Sequence, residues 1–281
     1  MSASGSYPII INQSNVTSNN TYTYNFGSSV EMGDIEIALG DLSMYYSWQS
    51  INTGYNNNKF SIIHPSLATN TQYDLTIPNG TYSVSDLNNY LNYFLIANGL
   101  YITNDTTKEI TVYFEFRENA PAYSVDLVCY PLPTSTPSGY TNASILWPTV
   151  SRTGQFIINN QGFGDIVGFA LGTYPAVQGT SITTSSSTTI PQVSPVQSVI
   201  VCLDSAYNPY APNSSVIHTF SSKGVQYGSL ITSSPNELCW VQQQQGARQQ
   251  ITLRFLDQNY RPLAIIDTNL TIKLMLRKIQ K

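Results

Sequence analysis

Apolar and polar residues alternate along much of this chain, the period of two that a strand with one buried face imposes. Ile35, Ile37 and Leu39 fall on one side of such a segment, with Asp34 and Glu36 opposite. Lys59 to Ile63 is a shorter candidate. From Glu109 to Phe116 the alternation predicts Ile110, Val112, Phe114 and Phe116 inward, and Glu109, Thr111, Tyr113 and Glu115 outward. Ser124 to Tyr130 repeats the pattern with Val125, Leu127 and Cys129. Near the carboxyl end, Ile251, Leu253 and Phe255 alternate with Thr252 and Arg254, and Leu270, Ile272, Leu274 and Leu276 with Thr271, Lys273 and Arg277. These read as half-buried antiparallel strands. The run Ser198-Val-Ile-Val-Cys-Leu203 is apolar on both faces, which places it centrally in a sheet. Turn chemistry punctuates the strands at Pro78-Asn79-Gly80 and at Asp257-Gln-Asn-Tyr260 ahead of Pro262.

One segment changes period. Leu87, Tyr90, Leu91, Phe94 and Leu95 recur at helical spacing, Ser83 and Asp86 have the spacing of a capping box, and Tyr82 and Leu87 that of a hydrophobic staple. Asn98-Gly99 then ends the helix, and its apolar stripe is assigned to core packing. Residues 1–20, small and polar apart from Ile9-Ile10-Ile11, read as an N-terminal arm. Two stretches rich in Pro, Gly, Ser and Thr read as long loops, at 131–155 and 173–197, the second with a Thr183-Thr-Ser-Ser-Ser-Thr-Thr189 core. The expectation is an all-β fold: a single jelly-roll β-sandwich over 21–281 with one short amphipathic helix and long loops.

Charge narrows the function. Only 10% of the 281 residues are charged and the net charge is −4, so 12 Lys and Arg provide no field for phosphates and direct nucleic-acid binding is not expected. Asn, Gln, Ser, Thr and 20 tyrosines stand where charge would be. A surface poor in Lys and Glu suits burial by neighbours, and Tyr supplies contact area with little rotamer freedom to lose. No apolar run reaches the ~20 residues of a membrane span, and the first residues lack the pattern of a signal peptide. Asn-x-Ser/Thr triplets at Asn15, Asn79 and Asn213 are what so Asn-rich a chain produces by chance.

Candidate chemistry is sparse. Cys129, Cys202 and Cys239 are far apart with no nearby His, so they read as buried thiols and not as metal ligands. A serine hydrolase would have only His64 and His218 to choose from, and Gly-x-Ser-x-Gly is absent. Gly162-Phe-Gly-Asp-Ile-Val-Gly168 approaches the glycine spacing of a dinucleotide loop, but its third glycine is one residue late and no βαβ unit surrounds it. Paired carboxylates for sugar hydrolysis would meet only in the fold. No catalytic, cofactor-binding or metal-binding residue is therefore assigned, and the chain is not expected to be an enzyme.

Five blocks in order carry a resemblance. Ile77-Pro-Asn-Gly-Thr-Tyr-Ser-Val-Ser-Asp-Leu-Asn-Asn-Tyr-Leu91, Gly162-Phe-Gly-Asp-Ile-Val-Gly-Phe-Ala-Leu-Gly-Thr-Tyr-Pro175, Ser198-Val-Ile-Val-Cys-Leu-Asp204, Ile251-Thr-Leu-Arg-Phe-Leu-Asp257 and Leu270-Thr-Ile-Lys-Leu-Met-Leu-Arg277 together resemble the penton (minor capsid) proteins of virophages and Polinton/Maverick-type elements. The resemblance implies a structural jelly-roll subunit forming homopentamers at the fivefold vertices of an icosahedral capsid around double-stranded DNA. It also implies a major capsid protein as partner, and a virion assembled in the host cytoplasm. The Ser/Thr-rich region around Thr183 has no counterpart in the resemblance and is left open as an exposed loop or the edge of an inserted domain. The alternative is a carbohydrate- or receptor-binding jelly roll of a viral fibre or adhesin, which would share the Tyr- and Asn-rich surface.

Overall fold

The strands form where the alternation places them, but they sort into two separate cores. The computed structural model describes residues 5–222 and 224–279. It divides into one unit made of 1–49 and 196–281 and a second made of 50–195. The expected single domain over 21–281 is thus interrupted by a long insertion with a core of its own.

In the first unit, eight main strands follow in chain order. They are Tyr7–Asn12, Thr21–Glu31, Ile35–Tyr45, Val199–Leu203, Val216–Phe220, a sixth strand broken into Leu230–Ser233 and Val241–Gln243, then Ala247–Asp257 and Leu270–Lys278. Two short edge strands flank them, Val16–Ser18 beside the second strand and Ala206–Tyr207 beside the sixth. Hydrogen bonding orders the eight 1-8-3-6 in one sheet and 2-7-4-5 in the other, all antiparallel. Nested pairs of this kind define a jelly roll, and the insertion lies between its third and fourth strands. The buried faces alternate as expected: Ile37 and Leu39, Ile251, Leu253 and Phe255, and Ile272 and Leu274 all point into one cluster. Val199–Leu203 is buried at every residue and is central in its sheet, paired with Val216–Phe220 on one side and Ala247–Asp257 on the other.

The arm reading of 1–20 fails for a physical reason. Tyr7–Asn12 pairs residue for residue with Thr271 to Leu276, and Ile9 and Ile11 are buried in the sandwich. A three-residue apolar run is too short to show a period, yet alternation within it buries two side chains and leaves Ile10 outside. Asn20 ties the next turn down. It holds φ 61°, its Nδ2 donates to the Phe255 carbonyl at 2.6 Å, and its Oδ1 accepts the Phe255 N–H at 2.8 Å, so one amide side chain stands in for a strand neighbour.

The second unit is built from shorter pieces. Helix α1 (Val84–Ala97) starts as expected, with Ser83 Oγ accepting the Asp86 N–H and Asp86 accepting the Ser83 N–H. It ends in a Schellman turn, with Gly99 at φ 67° and the Leu100 N–H donating to the Leu95 carbonyl at 2.8 Å. Leu87, Leu91 and Leu95 are buried, with Tyr90 and Phe94 partly so. A second helix, α2 (Gln161–Val167), was not anticipated. It occupies the glycine-rich stretch, capped by Asn160, and the glycines there serve packing: a Cβ on Gly164 would lie 2.4 Å from the Phe169 carbonyl oxygen, and Gly168 holds φ 79°.

Two further expectations change here. Alternation from Glu109 to Phe116 breaks in the middle, because Ile110–Thr111 pairs with Ile102–Asn104 whereas Phe114–Asn119 pairs with Ser124–Cys129. Between these two sheets the chain turns, so Tyr113 and Phe114 are both buried while Ile110 is exposed. This segment belongs to the second core and not to the sandwich. The loops at 131–155 and 173–197 contain short strands, and Thr183–Ser186 pairs with Asp126 to Cys129 as the edge of a three-stranded sheet. Its Ser and Thr side chains give no apolar period, but Thr suits an extended backbone and pairing supplies the rest.

Candidate interaction surfaces

In the second unit, α1 carries Asn88 and Asn92 one turn apart beside the sheet-switching segment. Phe114–Asn119 is an edge strand, and Asn88 Oδ1 accepts the N–H of Phe116 at 2.9 Å in place of a strand partner. A groove of about 580 Å³ runs here, lined among others by Asn92, Ile110, Glu115, Tyr130 and Ile182. Asn92 Oδ1 is buried and has no hydrogen-bond partner in the protein.

The polar end of that groove is a closed triad. Arg117 Nη2 donates to Glu115 Oε2 at 2.7 Å and to the Tyr130 hydroxyl at 3.0 Å, and Tyr130 donates to Glu115 Oε2 at 2.7 Å. The Arg117 hydrogen bond holds the Glu115 carboxyl below the usual carboxylate range, and burial raises the Tyr130 hydroxyl. The triad therefore keeps a fixed negative oxygen already satisfied by its own neighbours. Such an arrangement positions a partner better than it moves a proton.

On the first unit, the outer face of the 1-8-3-6 sheet carries a straight cross-strand row. Arg277 is opposite Glu36, Glu36 opposite Gln242, and Gln242 opposite Tyr207. Arg277 Nε donates to Glu36 Oε2 at 2.8 Å, and its guanidinium lies 4.1 Å from the Trp240 ring centroid. Beside the row, Asn208, Tyr210 and Cys239 join Glu36, Tyr207 and Trp240 around a groove of about 380 Å³. Tyr210 is 97% exposed. Alternation along each strand showed that Glu36 and Arg277 face outward; the register that joins them appears only when the strands pair.

The residues weighed for catalysis belong to different units. His64 belongs to the second unit and His218 to the first. His64 is 2% exposed, its Nε2 has no hydrogen-bond partner in the protein, and burial pushes its imidazole down to about 4. His218 Nε2 lies 3.2 Å from Ser233 Oγ, and burial lowers its basicity too. Each of the two grooves described is lined by a single carboxylate, Glu115 or Glu36. Among the described residues, no three His, Cys, Asp or Glu side chains are grouped to hold a metal, and no helix is long and apolar enough to cross a membrane. Cys129 and Cys202 are buried, with desolvation pushing the Cys129 thiol up to about 12, whereas Cys239 is exposed, contrary to expectation. It sits outside regular structure just before Val241, where no strand covers it.

No protein-family model matches the chain, and no curated protein matches it. Among solved structures, the chain is similar to the crystal structure of SeMet-labeled mavirus penton protein, with a TM-score of 0.45 and 12% sequence identity over 98% of each chain.

Proposed function

We propose that this chain is a structural, non-enzymatic capsid subunit: a penton protein forming homopentamers at the fivefold vertices of an icosahedral double-stranded DNA virus, beside a major capsid protein. The observation that carries the reading is the jelly-roll nesting, 1-8-3-6 against 2-7-4-5, with a separate unit inserted between strands three and four. A closed sandwich of this type leaves its sheet edges and outer faces for neighbours, and a fivefold ring needs two different flanks that fit each other. The edge strand Tyr7–Asn12 exposes Tyr7 and Ile10, apolar area that a neighbour would cover. With 10% of residues charged, little desolvation opposes such burial.

Particle composition tests the proposal. Quantitative mass spectrometry of purified particles should find about sixty copies, twelve rings of five. A chain absent from particles, or present at the much higher copy number of a shell-forming protein, would remove the penton reading.

A further inference from the structure

We infer that the outer face of the 1-8-3-6 sheet is a binding platform for a neutral oligosaccharide, seated in the groove between Tyr207, Tyr210 and Trp240. The inference goes beyond the capsid role and does not depend on it.

The platform is assembled by register. Four strands bring Arg277, Glu36, Gln242 and Tyr207 into one line, so guanidinium, carboxylate, amide and phenol follow one another across a flat surface. Carboxylate and guanidinium are bonded to each other at 2.8 Å, and the guanidinium also rests on Trp240. The floor is thus rigid and its two charges cancel, so it offers no net attraction to an anion or a cation. What it retains is a set of acceptors and donors, from Glu36 and Gln242, beside aromatic rings, with Asn208 held in place by its own bonds to the Val216 carbonyl and the Tyr210 N–H.

Around this floor the rings are open. Tyr207 is half exposed and Tyr210 almost wholly so, an expense of apolar surface in water that nothing in this unit covers. A saccharide matches both features: its C–H faces lie against aromatic rings, and its hydroxyls both donate to carboxylate and amide oxygens and accept from amide and guanidinium N–H groups. A volume of about 380 Å³ falls in the lower part of the range for small-molecule sites, so a short oligosaccharide is the fitting size. An apolar peptide side chain would leave the Gln242 amide desolvated without a partner.

The test uses the full chain on an array of neutral and anionic glycans, followed by titration of a bound neutral oligosaccharide such as chitotriose, maltotriose or lactose. Binding of a neutral glycan is expected, with affinity lowered about tenfold or more by Tyr210→Ala and by Trp240→Phe. Tyr210→Ala changes a side chain in solvent and leaves the fold intact, which unchanged thermal unfolding would verify. Two readouts localise the site. Bound glycan should shift tryptophan emission in the wild type but not in Trp240→Phe, and it should slow alkylation of Cys239 at the groove's rim. No binding to any glycan, binding of anionic glycans alone, or binding indifferent to both substitutions would overturn the inference. None of those results bears on the copy number per particle.

Discussion

The two units solve the same problem, burying an apolar core, with different materials. The jelly roll does it with strands of up to eleven residues and a core that is mostly aliphatic, where Ile11, Ile37, Leu39, Leu42, Leu253 and Leu274 interdigitate from two facing sheets. The inserted unit has α1, α2 and strands of two to eight residues around a cluster of phenylalanines. Phe60 stacks on Phe163 with centroids 4.7 Å apart and planes 10° from parallel, and Phe114, Phe116 and Phe156 close around them. Where pairing is long, repetition along the strand specifies packing; where elements are short, a few large rings must hold many pieces at once.

Four perturbations should bring out this contrast, read by hydrogen-exchange mass spectrometry, which reports peptides of the two units separately, or by denaturant unfolding. Leu274→Asp should have the largest effect, because a charge without a partner would replace a fully buried side chain between two sheets. The expected outcome is loss of protection throughout strands of the first unit. A well-protected variant would mean that Leu274 does not face the core.

Phe163→Ala should cost about 3–5 kcal/mol, with loss of protection centred on 50–195. Equal loss in both units would show that they unfold as one.

Acid should weaken the inserted unit through His64. Its folded-state pKa is depressed to about 4 from an unfolded value near 6.5, so the neutral ring's contribution is complete above pH ~6.5. It is lost progressively as pH falls toward 4, on the order of 3 kcal/mol at most. Denaturant unfolding at pH 7 and pH 4.5 should show that loss in the wild type and a flatter profile in His64→Leu. Identical pH dependence would rule the histidine out as its source.

The smallest expected effect is that of Asn20→Ala, about 1–3 kcal/mol, from stranding the Phe255 N–H and carbonyl that the amide now satisfies. Urea unfolding should show a lower midpoint, with exchange rising locally at Phe255. No change there would mean water replaces the amide without penalty.

Legibility followed element length. The strands at 35–39, 199–203, 251–255 and 270–274 and both ends of α1 could be read directly, because each carries several repeats of its period or a complete capping pattern. Tyr7–Asn12 and Thr183–Ser186 could not, since the first has too few apolar residues to show a period and the second has none. The change of sheet between Ile110–Thr111 and Phe114–Asn119 was hidden because alternation assumes an unbroken strand. Helix α2 was obscured by glycines that are there for close packing. The candidate surfaces were half visible: outward positions such as Glu36, Glu115 and Arg277 followed from alternation, but their neighbours did not.

The amino-acid order by itself determined the all-β character, the capped helix and the inward face of the long strands, because these depend on residues within a few positions of one another. Only tertiary structure decided which strands share a sheet, that 50–195 folds around its own core, and that Arg277, Glu36, Gln242 and Tyr207 stand in one row. Register between residues as far apart as Tyr7 and Leu276 is set by the packing of whole sheets, and no local period encodes it.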